Sequence, residues 1–396
     1  MKYIKLFYSI SLFIYLTTFA LAKDYLVSDI KILNKTIKHL KAGDTITIKD
    51  GIYKNVKINF RANATKKAPI ILKAQHKGKV IFAGKTFLSI KGNYLIVDGF
   101  SFKNGYPIYT SLIQIGHRKK PSNHCQLRNI TIDSFNDTNT TKRHDWVVII
   151  GGQYNSITKC HFNGMTNKGV TLKVVLPDNA LPNYHTVANN IFSNRAYGQS
   201  ENGYESIRIG DSKHSLQISR TMVKDNIFDK CDGEIEIISN KSSQNYYVHN
   251  IFRNSRGMLT LRHGNDCIVK DNIFLGYNNK DMGGIRIVGT GHKIINNYLD
   301  GVGVSSYRAA ISFMNGMPNA PLYQYTQVSD CIIKHNMILN SQYPIGIGAN
   351  YKNSKYPLFP KNVIFSNNMI INSNINSIYK MQSKIKNLSF FSNTVK

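Results

Sequence analysis

Short runs of alternating apolar and polar residues recur along the chain, and many open on an asparagine. The tag reads Asn190-Ile191-Phe192, Asn226-Ile227-Phe228, Asn250-Ile251-Phe252 and Asn272-Ile273-Phe274, then Asn297-Tyr298-Leu299, Asn336-Met337-Ile338 and Asn368-Met369-Ile370. Asn129-Ile130-Thr131 and Cys160-His161-Phe162 read as degenerate copies. From Asn226 through Asn250 and Asn272 to Asn297 the intervals are 24, 22 and 25 residues. A period in the low twenties, built of short strands and turn residues, predicts a solenoid in which each repeat is one coil. The asparagines should form a ladder, each bonding backbone in its own coil and the next, because buried peptide groups need partners. A leucine-rich repeat would show a leucine pattern that is missing, and a β-sandwich would not keep one tag at near-constant spacing. Residues 28–40 place Ile30, Leu33, Ile37 and Leu40 at helical spacing, with Ser28 as the expected N-cap. Strand patterns follow at Thr45-Ile46-Thr47-Ile48 and Ile70-Ile71-Leu72. The expected fold is all-β: a single-domain right-handed parallel β-helix over residues 23–396, with a short N-terminal capping helix.

Composition sharpens the setting. With 396 residues and 42% hydrophobic content, the chain can bury a large core. Lys2 and Lys5 precede a mainly apolar run from Leu6, and Ala20-Leu21-Ala22 offers small residues for cleavage. Residues 1–22 therefore read as a signal peptide, and the mature protein as secreted or periplasmic. Ser9, Ser11, Thr17 and Thr18 argue against a retained anchor, so no stable membrane insertion is expected. The formal charge is +29, and the two lysines of the leader leave +27 on the mature chain. Such a charge calls for a polyanion, and export favours an acidic polysaccharide over nucleic acid. Cys125, Cys160, Cys231, Cys267 and Cys331 lie far apart without a CxxC pair, which speaks against zinc and for small buried core residues. A monomer is expected.

The chemistry concentrates in Asp232-Gly233-Glu234-Ile235-Glu236-Ile237-Ile238-Ser239-Asn240-Lys241. If Ile235 and Ile237 point inward along a strand, Glu234 and Glu236 point outward together. Paired carboxylates are hard oxygen donors suited to Ca²⁺. In neighbouring coils Arg208, Arg262 and Arg286 occupy outward positions of similar strand patterns, so a basic stripe should flank the acidic pair. A groove for a polyanion, with a metal at its centre, would have this composition.

Several stretches carry a resemblance. Asn202-Gly203-Tyr204-Glu205-Ser206-Ile207-Arg208-Ile209-Gly210, the Gly233–Ser242 segment and Leu259-Thr260-Leu261-Arg262-His263-Gly264-Asn265 resemble polysaccharide lyase family six. That family holds alginate lyases and the dermatan-cleaving chondroitinase B. Ala42-Gly43-Asp44-Thr45-Ile46, Asp50-Gly51-Ile52-Tyr53, the Pro69–Ala74 segment and Gly283-Gly284-Ile285-Arg286-Ile287 extend the likeness over most of the mature chain. The resemblance implies that Asn202, Glu234 and Glu236 are calcium ligands, Lys241 the catalytic base and Arg262 the residue usually assigned as acid. It places Arg208 and His263 at the substrate groove, to which the outward stripe adds Arg286. Tyr204 departs from the small residue expected after Asn-Gly, which puts the local loop shape in question. The second β-helix domain of some members is not expected here.

The implied reaction is β-elimination. Calcium on the uronate carboxylate neutralises charge, Lys241 takes the C5 proton, and the C4–O bond breaks to leave a 4,5-unsaturated uronate. Nearby Arg208, Arg262 and calcium would favour the unprotonated lysine. Arginine is a poor proton donor, its pKa lying above about 12, so Arg262 should act by stabilising charge. Alginate is the expected substrate, with dermatan sulfate the alternative. Rival readings are a pectinase-type β-helix glycoside hydrolase, a uronate C5-epimerase and a non-catalytic glycan-binding solenoid. The last explains the charge and the repeats but not the spacing of Glu, Lys and Arg.

Overall fold

The computed structural model describes residues 22–178, 181–198, 202–276, 281–350, 352–371, 379–381 and 386–396. The leader expected over residues 1–22 lies, except for Ala22, outside the described residues. No helix among the described residues is long and apolar enough to cross a membrane.

The chain winds as a right-handed parallel β-helix. One sheet of 14 strands runs from Asp24–Val27 to Lys386–Phe391, each strand parallel to the equivalent strand of the next coil. Two further faces share the long strand Val80–Asn93, which pairs forward into both. The strands expected at Thr45–Ile48 and Ile70–Leu72 form, the second running on to Ala74, and pair with each other.

Repetition explains the interior. Phe162, Phe192, Phe228, Phe252 and Phe274 occupy one row, with successive ring centroids 5.0, 4.9, 4.7 and 4.6 Å apart. Such pairs add about 0.5–1.5 kcal/mol each beyond burial of their area. The asparagine ladder also forms. Asn190, Asn226, Asn250, Asn272, Asn297, Asn336 and Asn368 each donate from Nδ2 to Oδ1 of the next, at 2.9–3.0 Å, and Asn393 ends the series. Each carboxamide also accepts a backbone N–H from the preceding coil, so Cys160 N–H donates to Asn190 Oδ1 at 2.9 Å. Residues before the rungs, among them Asn189, Asp225, Asp271 and Asn296, adopt left-handed backbone with φ of 54–57°. Short polar side chains tolerate that conformation best.

Two expectations shift by one residue. Asn129 is the left-handed corner (φ 54°) rather than a rung, and the buried Ile130 stands at the rung position. The N-terminal helix spans Ile30–Ile37, and its cap is Asp29 instead of Ser28. The Asp29 carboxylate accepts from the N–H groups of Lys31 and Ile32 at 2.7 and 3.0 Å, two donors the first turn leaves open. Leu33 and Ile37 are buried against the first coils. All five cysteines are free and buried, and burial pushes the thiols of Cys125, Cys160, Cys231, Cys267 and Cys331 up to about 12. They are inert core residues, as expected.

Candidate active site

One face of the solenoid carries an unbroken outward row. Asn59 pairs with Ser89, and the row continues through Gln114, Val148, Lys173, Arg208, Ser239, Thr260 and Arg286 to Ser312. The residues on either side of these point into the core: Ile207 and Ile209, Leu259 and Leu261, Ile285 and Ile287. Arg208 and Arg286 thus share one row. Arg262 stands two residues beyond Thr260, but the register shift after Asn240 sets His263 opposite Lys241, so Arg262 is the extra, bulged residue beside that pair. Of the expected stripe of arginines, Arg208 and Arg286 share the row and Arg262 is displaced onto the bulge.

The strand Glu236–Lys241 is irregular at both ends. Its register against Met258–His263 shifts between Glu236 and Ile238, and again between Asn240 and Lys241. Alternation counted back from the inward Ile238 would turn Glu236 into the core. The bulge at Ile237 reverses that sense and brings Glu236 onto the groove. Glu234 lies before the strand, in the loop, so the expected two-residue alternation of Glu234 and Glu236 does not hold. Ile237 is core, while Ile235 is only half-buried. Two glycines permit the close packing. A Cβ on Gly210 (φ +85°) would lie 2.2 Å from the Lys241 carbonyl oxygen, and one on Gly233 would lie 2.1 Å from that of Tyr204.

Three carboxylates gather here, in a chain with few acids. Glu205, Glu234 and Glu236 are 1%, 5% and 7% exposed. Burial, with the charges of Glu205 and Glu236 beside it, pushes the Glu234 carboxyl up to about 9. Glu234 Oε2 accepts from the Tyr204 N–H at 3.1 Å. Glu236 accepts from Arg286 Nη2 and lies 3.9 Å from Arg262 Nε. Arg208 Nη1 reaches Glu205 Oε1 at 3.4 Å. Asn202 is exposed, in the loop leading to the strand Ile207–Gly210.

The arginines are held by aromatic rings from later coils. The Arg262 guanidinium lies 4.1 Å from the Tyr325 ring centroid, and that of Arg286 lies 4.9 Å from Tyr307. Arg286 Nη1 donates to the Tyr307 hydroxyl at 2.6 Å, and the two tyrosine hydroxyls are 3.3 Å apart. Arg286 is consequently buried and tied to Glu236, rather than open to solvent as the outward stripe suggested. His263 is buried opposite Lys241. Burial, with Arg262 and Lys241 nearby, pushes its imidazole down to about 3, so it is neutral at ordinary pH. Lys241 itself is half-buried.

Six buried polar atoms of this face have no hydrogen-bond partner among the described residues: Glu205 Oε2, Arg208 Nε, Ser239 Oγ, Thr260 Oγ1, Arg262 Nη1 and Arg286 Nε. Native interiors leave few such atoms, so their concentration marks a surface shaped for a polar ligand. The close clustering of three His, Cys, Asp or Glu side chains that holds a metal by itself is not found among the described residues. The acidic pocket nevertheless fits a hard cation. It offers carboxylate oxygens, an orphaned Glu205 oxygen and a Glu234 that resists ionisation without a counter-charge.

Sequence reasoning had not assigned Glu205, Tyr307, Tyr325 or Arg195. Glu205 adjoins the Asn-Gly motif and was legible there. The tyrosines sit on loops without a repeat signal. Arg195 is buried beneath the site and donates to the carbonyls of Met165, Asn167, Gly169 and Tyr204 at 2.8–3.1 Å. It also covers the Tyr204 ring, at 5.1 Å. That ring is packed away against Gly198, where a Cβ would come within 2.3 Å of it, so Tyr204 is buried and does not fill the groove.

The chondroitinase B family model matches residues 27–396. Among solved structures, the chain is similar to the PL6 family alginate lyase AlyGC, with 34% identity and a TM-score of 0.90. That alignment covers 94% of this chain and 51% of the other, so the chain spans about half the length of AlyGC. A mannuronic acid specific family 6 lyase from human gut microbiota is 29% identical (TM-score 0.80; 93% of this chain, 82% of that one). The PL6 lyase Pedsa3628 from Pseudopedobacter saltans is 28% identical (TM-score 0.78; 94% and 92%). No curated protein matches the sequence. Fold and family match agree: the chain belongs to the chondroitinase B family of polysaccharide lyases, polysaccharide lyase family six.

Proposed function

We propose that the protein is a calcium-dependent lyase that cleaves alginate by β-elimination, leaving 4,5-unsaturated uronate ends. The observation that carries this reading is the meeting of Lys241 and Arg262 with three buried carboxylates and a set of orphaned polar atoms on one face. The solved alginate lyases similar to the chain support alginate over other uronate polymers.

Asn202, Glu234 and Glu236 would hold the calcium ion, with Glu205 beside them. When bound, it supplies neutralisation of the uronate carboxylate, which acidifies the neighbouring C5–H. Lys241 Nζ takes the C5 proton. The C–H electron pair becomes the C4–C5 double bond, and the pair of the breaking C4–O bond leaves with the oxygen, which takes a proton from water. Arg262, oriented by Glu236 and the Tyr325 ring, presents a fixed fork to the charge that develops. Arg208 and neutral His263 border the same groove and would position the sugar. Export through the expected leader would bring the enzyme to an extracellular or periplasmic polymer.

The test is a panel of polymannuronate, polyguluronate and dermatan sulfate, followed by ultraviolet absorbance of the unsaturated product. Absorbance should rise on an alginate block, vanish on chelation and return with calcium. A rise confined to dermatan sulfate would move the enzyme to the other branch of the family. Full turnover in demonstrably metal-free protein would remove calcium from the mechanism.

A further inference from the structure

A second basic site lies on the groove face, far from the acidic cluster. A cavity of about 400 Å³ is lined by Arg61, Lys91, His117, Lys119 and Lys120, with no acid among its lining residues. Arg61 and Lys91 are register partners at the ends of the strands Lys57–Asn63 and Val80–Asn93. They stand two residues beyond Asn59 and Ser89, just as Lys241 stands two residues beyond Ser239 in that same continuous row. Arg61, Lys91 and Lys241 therefore face the same way. His117 and Lys120 exchange backbone hydrogen bonds of 3.1 and 2.9 Å, closing a tight turn that carries Lys119 and Lys120 to the cavity edge. Among the described residues no ion pair engages Arg61, Lys91, Lys119 or Lys120, whereas the adjacent Arg118 reaches Asp178 at 4.0 Å. Uncompensated positive charge so concentrated costs stability unless an anion meets it.

Five strand-to-strand steps separate Lys91 from Lys241, and six separate Arg61 from it. At about 4.8 Å per step the separation is roughly 24–29 Å. Gln114, Lys173 and Arg208, all half-buried, lie on the outward row between the two.

We infer that this cavity is a distal binding site for the acidic polysaccharide, holding uronate carboxylates of the chain whose cleaved residue sits at Lys241. The inference rests on the proposed lyase function. It makes the enzyme favour long polymer, because a trisaccharide seated at Lys241 is too short to reach Lys91.

The test uses a variant with Arg61→Gln, Lys91→Gln, Lys119→Gln and Lys120→Gln. Turnover is measured on polymeric alginate and on the shortest oligosaccharide that the wild-type enzyme cleaves. KM for the polymer should rise about tenfold, equivalent to roughly 1.4 kcal/mol, with kcat unchanged and both constants on the oligosaccharide unchanged. An unchanged polymer KM, or an equal loss on both substrates, overturns the inference. Equilibrium binding of polymeric alginate and of dermatan sulfate, measured in the Lys241→Ala background with and without the four substitutions, separates the two readings. If wild-type protein cleaves neither polymer, the lyase reading fails. The distal site then stands if the four substitutions weaken binding of either polymer, and falls if they weaken neither.

Discussion

The asparagine and phenylalanine spine and the groove are made by the same coils, yet they obey opposite rules. In the spine each coil repeats the last: Asn250 bonds Asn272 as Asn226 bonds Asn250, and Phe252 stacks on Phe274 as Phe228 stacks on Phe252. Every buried carboxamide there finds partners. In the groove two register shifts flank one strand, three carboxylates are buried together, and six polar atoms lack partners. Repetition satisfies backbone and side chains coil by coil. The site departs from repetition and leaves capacity for a ligand. Stability and chemistry are thus separated across the width of a single coil, and substitutions should separate them too.

The largest effect should come from Lys241→Ala. Removing a general base typically costs about 10²–10⁴ in rate, and the melting temperature should hardly change because Lys241 contributes no core contact. Turnover near that of wild type would exclude it as the base. Acid should attack the opposite region. His185 and His292 are buried and pushed down to about 3 and about 4, each accepting a backbone N–H at Nδ1. Both stay neutral in the folded chain while their unfolded counterparts bind a proton below about 6.5, at about 1.4 kcal/mol per unit of difference. Stability is therefore complete above pH 6.5 and falls as pH drops towards 4. Melting curves across that range should be flatter in a His185→Gln, His292→Gln double variant, and an unchanged slope would show that other groups control acid unfolding.

Arg262 sharpens the mechanism. Arg262→Ala should lower kcat by about 10²–10³, and Arg262→Lys by less, since charge remains while the planar fork is lost. A lysine variant at or above wild-type turnover, with unchanged affinity, would instead indicate direct proton donation. On the spine, Asn250→Ala removes its bonds to Asn272 and to the Val223 carbonyl and leaves the Asn226 amide short of an acceptor. The expected cost is about 2–4 kcal/mol, read as a lower denaturation midpoint with kcat of the folded enzyme retained. The smallest effect concerns Tyr325. Tyr325→Leu removes the ring under Arg262 and should lower kcat about tenfold, within the range of a desolvated cation–π contact. Tyr325→Phe should restore most of it. Equal losses in the two variants would assign the role to the hydroxyl and not the ring.

What was legible in the sequence follows from period and composition. The tag spacing announced the coil and the ladder, and strand alternation the face that carries Arg208, because a solenoid repeats one local environment and so writes it repeatedly. The same regularity misplaced Asn129, which mimics a rung one residue early. Alternation also misjudged Glu234 and Glu236, since a bulge inserts a residue without changing residue types.

The sequence by itself determined the architecture and pointed to the candidate groove residues, since both depend on patterns within one coil or its neighbours. Only the tertiary structure decided that Arg286 is buried against Glu236 under Tyr307, that Tyr325 lies on Arg262, and that Arg61 and Lys91 face the same way as Lys241. Those relations join residues dozens to well over a hundred positions apart. They depend on summed strand registers and on where irregular loops fold back, quantities that no local pattern carries.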